Sequence, residues 1–347
     1  MKRILLSTAA MALTGGLFAQ SIVSTAPENK NVLLEDLTGI NCTWCPAGAE
    51  VADQMKATAS DPMDVIIIGN HGGGYATPSS NPAYPQPQTD LRTPEGQAID
   101  GLSSSLGYPA GNINRLVTNQ SNKPGQNTAH YRDKWGTVAG NVLGQASPVN
   151  LAVVAYYYPG SNDLHVYVEG YYTSDGVGSD YLTVAVLQDN IITGQSGAFR
   201  YPEREQPNGT YRQMDVLRGY LTNGNFGDEI TTTAKDDFFT WDQTYTLAQV
   251  GPDVAPIMED MKIAVWMTTD AGFSEVITAT EAHAEERPVG INEANSLKGL
   301  SIYPNPFTDV ATVEFNLEES QEITVNFFDV TGKMVQNVAS TVYSMGN

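Results

Sequence analysis

The segment around the only two cysteines of the chain constrains its fold more than any other part. An apolar strand candidate, VLLEDLTG (32–39), precedes the pair Cys42 and Cys45, and a segment with helical spacing of apolar residues follows over 47–60. The next run, DVIIIGNH (64–71), is unbroken and rich in β-branched residues, which is typical of a strand buried on both faces of a parallel sheet. Strand, helix and strand in this order predict a βαβ unit with the cysteines at its first strand-to-helix corner.

The alternation of helices and strands continues as far as residue 147. A Gly- and Pro-rich stretch (72–88) predicts a long surface loop. Beyond it, the pattern predicts a helix over 89–107, a strand over 108–117 and a helix over 131–145. Thr89 or Thr93 is placed to cap the first of these helices. We therefore predict an α/β domain over residues 31–147.

The pattern changes after residue 147 to short β-rich runs with turn residues between them. The first two runs are joined by Pro-Gly-Ser-Asn-Asp, which is typical of a hairpin. This spacing predicts an all-β antiparallel sandwich over 148–286. An irregular stretch within it, residues 194–221, is predicted to be a loop excursion. A linker over 287–299 then separates the sandwich from a further all-β segment, 300–347.

The first residues are typical of a cleavable secretory signal. Lys2 and Arg3 precede an apolar stretch that extends to Ala19 and is interrupted by Ser, Thr and Gly residues. We expect residues 1–19 to be a signal peptide and the protein to be exported. No later segment is long and apolar enough to cross a bilayer, so we predict no transmembrane helix.

The charge of the chain excludes one class of function. The formal net charge is -21 at pH 7, from 39 acidic and 18 basic side chains. A surface this acidic repels nucleic acid, so we predict no nucleic-acid partner.

The residues alone leave the role of the cysteine pair open. A closed structural zinc site needs four ligands, and the chain has neither a second cysteine pair nor two neighbouring histidines, so we predict no metal site. We predict no cofactor either. A disulfide can persist in an exported protein, and it is either exchange-competent or a static staple. Trp44 lies between the two thiols, where an exposed aromatic side chain can contribute to a binding surface.

The order strand, Cys-x-x-Cys, helix, strand, helix and a Pro-containing turn resembles the thioredoxin fold. The turn is LGYPAGNINR (106–115), and Pro109 matches the proline that such proteins hold in cis facing the cysteines. The resemblance implies that Cys42 is the exposed attacking thiol and Cys45 the buried resolving one. It also implies that Tyr108 and Pro109 shape the surface that receives the backbone of a partner carrying a thiol or a disulfide.

Residues 31–286 resemble a more specific family. EDLTGINCTWCPAG, GYPAGNINR and DVLRGYL together are similar to the outer-membrane-protein-twenty-eight family of Bacteroidetes surface proteins. The resemblance implies a location at the cell surface, with adhesin or receptor roles suggested for the family.

The C-terminal segment resembles the type A sorting domain of the type IX secretion system. SIYPNPFTD and the later DVTGK turn carry the likeness, and its most specific residues are Tyr303, Pro304, Asn305, Pro306 and Gly332. The resemblance implies handling by the type IX secretion machinery and a final location at the outer-membrane surface or outside the cell. Such domains carry further strands and a basic end beyond the point that corresponds to Asn347, so we expect a truncated domain over 300–347.

Two functions follow as alternatives. The first is an exported, surface-associated thioredoxin-like protein that exchanges thiols and disulfides through Cys42 and Cys45, which would make it an oxidoreductase. The second is a non-enzymatic surface adhesin or binding protein with an unknown ligand, in which the Cys42–Cys45 bond is structural.

Overall fold

The computed structural model describes residues 21–176, 179–223, 227–247, 254–287, 297–303, 312–317, 321–328 and 334–343. They fall into two compact units, Ile22–Arg287 and a unit that contains the strands after residue 296. The predicted signal peptide (1–19) and most of the predicted linker (287–299) lie outside the described residues. None of the described helices is long and apolar enough to cross a membrane.

The first half of the larger unit contains three helices and four strands. In chain order they are β1 (Val32–Thr38), α1 (Cys45–Thr58), β2 (Val65–His71), α2 (Pro94–Ser103), β3 (Ala110–Ile113), β4 (Ala129–Tyr131) and α3 (Arg132–Leu143). β1 pairs in parallel with β2 and antiparallel with β3, which pairs antiparallel with β4, so the order across the sheet is β2-β1-β3-β4. The predicted βαβ unit is therefore present, with Cys42 between β1 and α1 and Cys45 at the start of α1.

Strands β1 and β2 are buried at every position because both faces of their sheet are covered. On one face, Val32 and Ile67 pack with Trp135 of α3 and with apolar residues of α1. On the other face, Leu33 and Ile68 belong to a second apolar cluster. The continuous β-branched run of β2 is therefore buried on both faces of the sheet, as its sequence predicts.

The ends of three elements differ from those expected. α1 begins at Cys45, two residues earlier than predicted. Pro46 lies in its first turn, where the N–H that proline lacks would have no acceptor within the helix. α2 begins at Pro94, and the Thr93 side chain caps it by accepting from the Gly96 N–H at 3.0 Å. The strand predicted over 108–117 is only β3, because Asn114 adopts a left-handed backbone (φ 45°) directly after it.

The second half of the larger unit is almost entirely β. Its strands are β5 (Val149–Tyr157), β6 (Asp163–Tyr172), β7 (Asp180–Gln188), β8 (Ile191–Thr193), β9 (Tyr211–Gln213), β10 (Val216–Tyr220), β11 (Asp228–Ile230), β12 (Phe238–Thr246), β13 (Met261–Thr268) and β14 (Val276–Glu286). Most pair antiparallel, and β5, β6, β7, β12, β13 and β14 share one large apolar core.

The two halves are joined within one mixed sheet. β10 pairs in parallel with β2, through Val216 opposite Gly69, and antiparallel with β7. The strand order is β12-β6-β5-β14-β13-β7-β10-β2-β1-β3-β4, with β11 on β7. The fold is thus mostly β, with a large mixed sheet and few helices, and the division at residue 147 stays a prediction.

The second unit contains two antiparallel strand pairs. β15 (Leu297–Tyr303) pairs with β16 (Thr312–Leu317), and β17 (Gln321–Phe328) pairs with β18 (Met334–Tyr343). Of the predicted sorting residues, Tyr303 ends β15, whereas Pro304, Asn305, Pro306 and Gly332 lie outside the described residues.

Candidate functional site

The two cysteines form a disulfide at the corner between β1 and α1. Their Cα atoms lie 5.4 Å apart. The chain turns sharply there: the Cys42 N–H donates to the Gly39 carbonyl at 3.0 Å, and the Cys45 N–H donates to the Cys42 carbonyl at 3.3 Å. Because Cys45 is the first residue of α1, the disulfide lies at the positive end of the helix dipole.

Pro109 lies against the same end of the helix. The Tyr108–Pro109 peptide bond is cis. A Cβ added to Gly48, in the first turn of α1, would lie 2.8 Å from the Pro109 Cβ, so only glycine lets the proline ring pack this closely. The structure therefore brings three predicted site residues, Cys42, Cys45 and Pro109, to one end of α1.

The exposure implied for Cys42 is wrong. Cys42 is 3% exposed and Cys45 is 2% exposed, so both are buried. The physical reason is a segment of the predicted loop excursion, residues 194–204, which packs over the disulfide and is called the covering segment below.

The covering segment is bonded to the backbone around the disulfide. The Gln195 side-chain amide donates to the Cys42 carbonyl at 3.1 Å, and the Ser196 N–H donates to the Ile40 carbonyl at 2.8 Å. At Gly197 the two backbones are so close that an added Cβ would lie 2.0 Å from the Thr43 carbonyl oxygen. These contacts exclude solvent from the sulfur atoms.

The other end of the covering segment is tied to helix α1. Arg204 donates twice to the Asp53 carboxylate at 2.6 Å, and the Tyr201 hydroxyl donates to the same carboxylate at 2.6 Å. Asp53 projects from the helix that Cys45 begins. The covering segment therefore contacts both the cysteine turn and the helix behind it.

Trp44, the predicted contact residue between the cysteines, is 49% exposed. The guanidinium of Arg200 lies over its ring, with the central carbon 3.4 Å from the ring centroid. The guanidinium of Arg132, the first residue of α3, lies 5.3 Å from the same centroid. An exposed aromatic ring at the disulfide is thus flanked by two cations.

Tyr108, the other predicted contact residue, lines a cavity of about 530 Å³ beside the cysteine turn. Its ring packs edge-to-face on that of Tyr75 with centroids 5.4 Å apart, and its hydroxyl donates to Asp100. Asn41, the residue before Cys42, lines the same cavity, as does Tyr84. The cavity therefore extends from the cysteine turn along the predicted Gly- and Pro-rich loop.

Buried polar side chains that were not predicted from the sequence lie behind the site. Asp36 and His71 line a cavity of about 20 Å³, large enough for one water molecule. Burial raises the pKa of the Asp36 carboxyl to about 8 and lowers the pKa of the His71 imidazole to about 4, so both are largely neutral at pH 7. The detectable signal was the acidic pair Glu35 and Asp36 inside an otherwise apolar strand.

Glu35, the other acidic residue of β1, forms a buried ion pair. Its carboxylate accepts from the Arg115 guanidinium at 2.7 Å, and both side chains are buried. Asn112 donates to the same carboxylate at 2.9 Å. Across the described part of the chain, no three His, Cys, Asp or Glu side chains lie close enough together to hold a metal ion.

Comparison with protein families assigns a class to the C-terminal segment. Residues 301–346 match the secretion system C-terminal sorting domain. This match supports export by the type IX secretion machinery to the outer-membrane surface or the extracellular space. No functionally curated protein matches the chain.

Comparison with solved structures finds likeness in the fold. HBP35 of Porphyromonas gingivalis is 16% identical with a TM-score of 0.53, over 92% of this chain and 96% of that one. A domain of the outer membrane lipoprotein Omp28 from the same organism is 17% identical with a TM-score of 0.27, over 41% of this chain and 91% of that domain. The first likeness shows a shared fold across nearly the whole chain.

Proposed function

We propose that this chain is an exported, surface-associated thioredoxin-like protein that exchanges thiols and disulfides through Cys42 and Cys45. The observation that carries the proposal is the meeting of the disulfide, the start of α1 and Pro109 at one point. The element order from β1 to α3 and the sheet order β2-β1-β3-β4 support it, as does the likeness of EDLTGINCTWCPAG and GYPAGNINR to thioredoxin-like surface proteins.

The exchange proceeds in two balanced steps when the oxidised protein meets a partner dithiol. A partner thiolate attacks the sulfur of Cys42, which breaks the Cys42–Cys45 bond, forms a mixed disulfide with Cys42 and releases Cys45 as a thiolate that takes up a proton. The second partner thiolate then attacks the partner sulfur of the mixed disulfide and releases Cys42. The partner loses two electrons and two protons, and the protein gains them.

Access to Cys42 requires the covering segment to move. In the closed arrangement Gln195 and Gly197 lie against the cysteine turn and both sulfurs are buried. An incoming thiolate must approach in line with the disulfide, which this packing prevents. Exchange is therefore limited by local opening of the covering segment.

The experiment that tests the proposal is exchange with a model dithiol peptide, followed by mass spectrometry. The full chain should oxidise the peptide while its own disulfide is lost. With partner peptide in its disulfide form, Cys45→Ser should accumulate a mixed disulfide at Cys42, because opening of the covering segment frees the turn that carries Cys42. Cys42→Ser should not, because Cys45 stays within the first turn of α1. Absence of exchange in the wild-type protein over hours, with the fold intact, contradicts the proposal.

A second candidate function is favoured by one observation, the burial of both sulfurs beneath the covering segment. On this reading the bond is a staple, and the chain is a surface binding protein or adhesin. Cys42→Ser would then lower stability by about 2 kcal/mol, because the bond joins residues only three positions apart, without changing any exchange activity. The peptide experiment separates the two functions.

A further inference from the structure

The two arginines beside Trp44 are the most unusual charged groups on the surface near the disulfide. The chain has only 18 basic side chains against 39 acidic ones, yet Arg132 and Arg200 both face one exposed indole ring. They come from distant segments, since Arg132 begins α3 and Arg200 belongs to the covering segment. The fold thus places two positive charges close together on a chain whose net charge is strongly negative.

Neither arginine is neutralised by a carboxylate among the described side chains. Two acidic groups near them have other partners: Asp133 pairs with Lys134 at 2.9 Å, and Asp53 pairs with Arg204. The Nε–H of Arg200 is buried and has no hydrogen-bond partner in the described structure. This N–H is therefore free to donate to an acceptor from outside the described residues.

The guanidinium of Arg200 is also held in place before any ligand arrives. Its central carbon lies 3.4 Å from the centroid of the Trp44 ring and 4.8 Å from that of the Phe199 ring. Stacking on aromatic faces orients the plane of the guanidinium and leaves its edge for a planar, two-oxygen acceptor. A carboxylate matches that edge with two parallel N–H···O bonds.

The apolar groups around the cations suit a polypeptide. Phe199 is 63% exposed and Trp44 is 49% exposed, so an apolar surface adjoins the positive charge. Exposed aromatic and arginine side chains are enriched at protein interfaces.

From this arrangement we infer that Trp44, Phe199, Arg132 and Arg200 form a docking site for an acidic segment of a partner polypeptide, in which an Asp or Glu side chain pairs with the guanidinium groups beside Trp44. The inference deepens the proposed function and rests on it in one respect: the segment that docks on the closed arrangement belongs to the partner that carries the thiol or disulfide, and docking precedes the opening that gives access to Cys42. Selection for acidic partners then comes from Arg200 of the covering segment and Arg132 of α3, both outside the βαβ unit.

The test uses two fluorescent, cysteine-free peptides that differ only at one central position, which is Glu in one and Gln in the other. Binding is followed by fluorescence anisotropy. The full chain should bind the Glu peptide roughly fivefold more tightly, as expected for partly exposed ion pairs. The preference should shrink as ionic strength rises above about 0.15 M, where the Debye length falls below about 8 Å. Arg200→Gln and Arg132→Gln should each reduce it.

Lys134→Gln is the matched control, since it removes one positive charge from an exposed position on α3, two residues from Arg132. It should keep the preference. Equal binding of the two peptides overturns the inference, as does an equal loss in Lys134→Gln and Arg200→Gln, or binding of anionic lipid vesicles without a preference between the peptides. If Arg200→Gln does not fold, Arg132→Gln and the salt titration decide.

A separate measurement keeps the inference and the proposed function apart. Hydroxyethyl disulfide is small and neutral, so its reaction with the reduced protein measures an exchange that does not depend on the docking site. Exchange without a Glu preference refutes only the docking site, and a Glu preference without exchange refutes only the redox function.

Discussion

Gly197→Ala perturbs the covering segment at its closest contact with the cysteine turn. Gly197 has φ +74°, and placing an L residue in this region costs about 1 kcal/mol. The new Cβ would lie 2.0 Å from the Thr43 carbonyl oxygen, about 1.4 Å short of ordinary van der Waals contact with backbone that is held by its own hydrogen bonds. Together these effects should destabilise the closed arrangement by roughly 2 kcal/mol, which raises the open population by about 30-fold.

The assay is reduction of the Cys42–Cys45 bond by dithiothreitol under native conditions, with released thiols alkylated and counted by mass spectrometry. Gly197→Ala should be reduced about 10- to 30-fold faster than the wild type, because reduction proceeds through opening. Gly209→Ala is the matched control: Gly209 has φ +81° in the turn after the covering segment, but an added Cβ there meets no other atom within 4 Å. It should be reduced at the wild-type rate within about threefold. Equal rates in Gly197→Ala and the wild type, or in the two variants, would refute the argument that this contact shields the disulfide.

Two further predictions concern the buried charges behind the site. Arg115→Met should lower the free energy of unfolding, measured in urea, by about 3–5 kcal/mol, because it leaves the buried Glu35 carboxylate unpaired. The double variant Glu35→Gln/Arg115→Met should recover part of that loss. Additive losses from the two substitutions would contradict the pairing of these side chains. Burial raises the pKa of Asp36 from 3.8 to about 8, so its carboxyl binds more protons in the folded protein than in the unfolded chain between these values, and its contribution to stability falls as pH rises. His71, whose pKa is lowered from 6.5 to about 4, has the opposite effect up to about pH 6.5, so stability should fall by roughly 1 kcal/mol per pH unit only from about pH 6.5 to pH 8. Asp36→Asn should flatten this slope in urea titrations at several pH values, and an unchanged slope would show that Asp36 is not its source.

Local patterns were sufficient to predict the elements that hold the cysteine pair. The β-branched run over 64–71 forms a strand buried on both faces, and Thr93 caps α2 as its position before Pro94 indicates. In these segments the periodicity of apolar residues and the chemistry of helix ends act over only a few residues, so the sequence displays them directly.

The parts that sequence analysis missed depend on contacts between distant segments. Gln195 reaches the Cys42 carbonyl across 153 positions in the sequence, and Arg115 reaches Glu35 across 80. No periodicity encodes such pairings, because each residue is compatible with an exposed loop or strand until the fold brings its partner near. The burial of Cys42 and the positive surface at Trp44 depend in the same way on segments that are distant in the sequence.

The reduction potential of the Cys42–Cys45 bond in the full chain tests the central claim most directly. It is obtained by equilibration with graded ratios of reduced and oxidised dithiothreitol, followed by alkylation and mass spectrometry. An exchange-competent pair should have a potential above about −300 mV, and the fraction reduced should be the same from both directions of approach. A potential below about −300 mV, or a bond that is reduced only when the protein unfolds, would identify a structural staple and contradict the account.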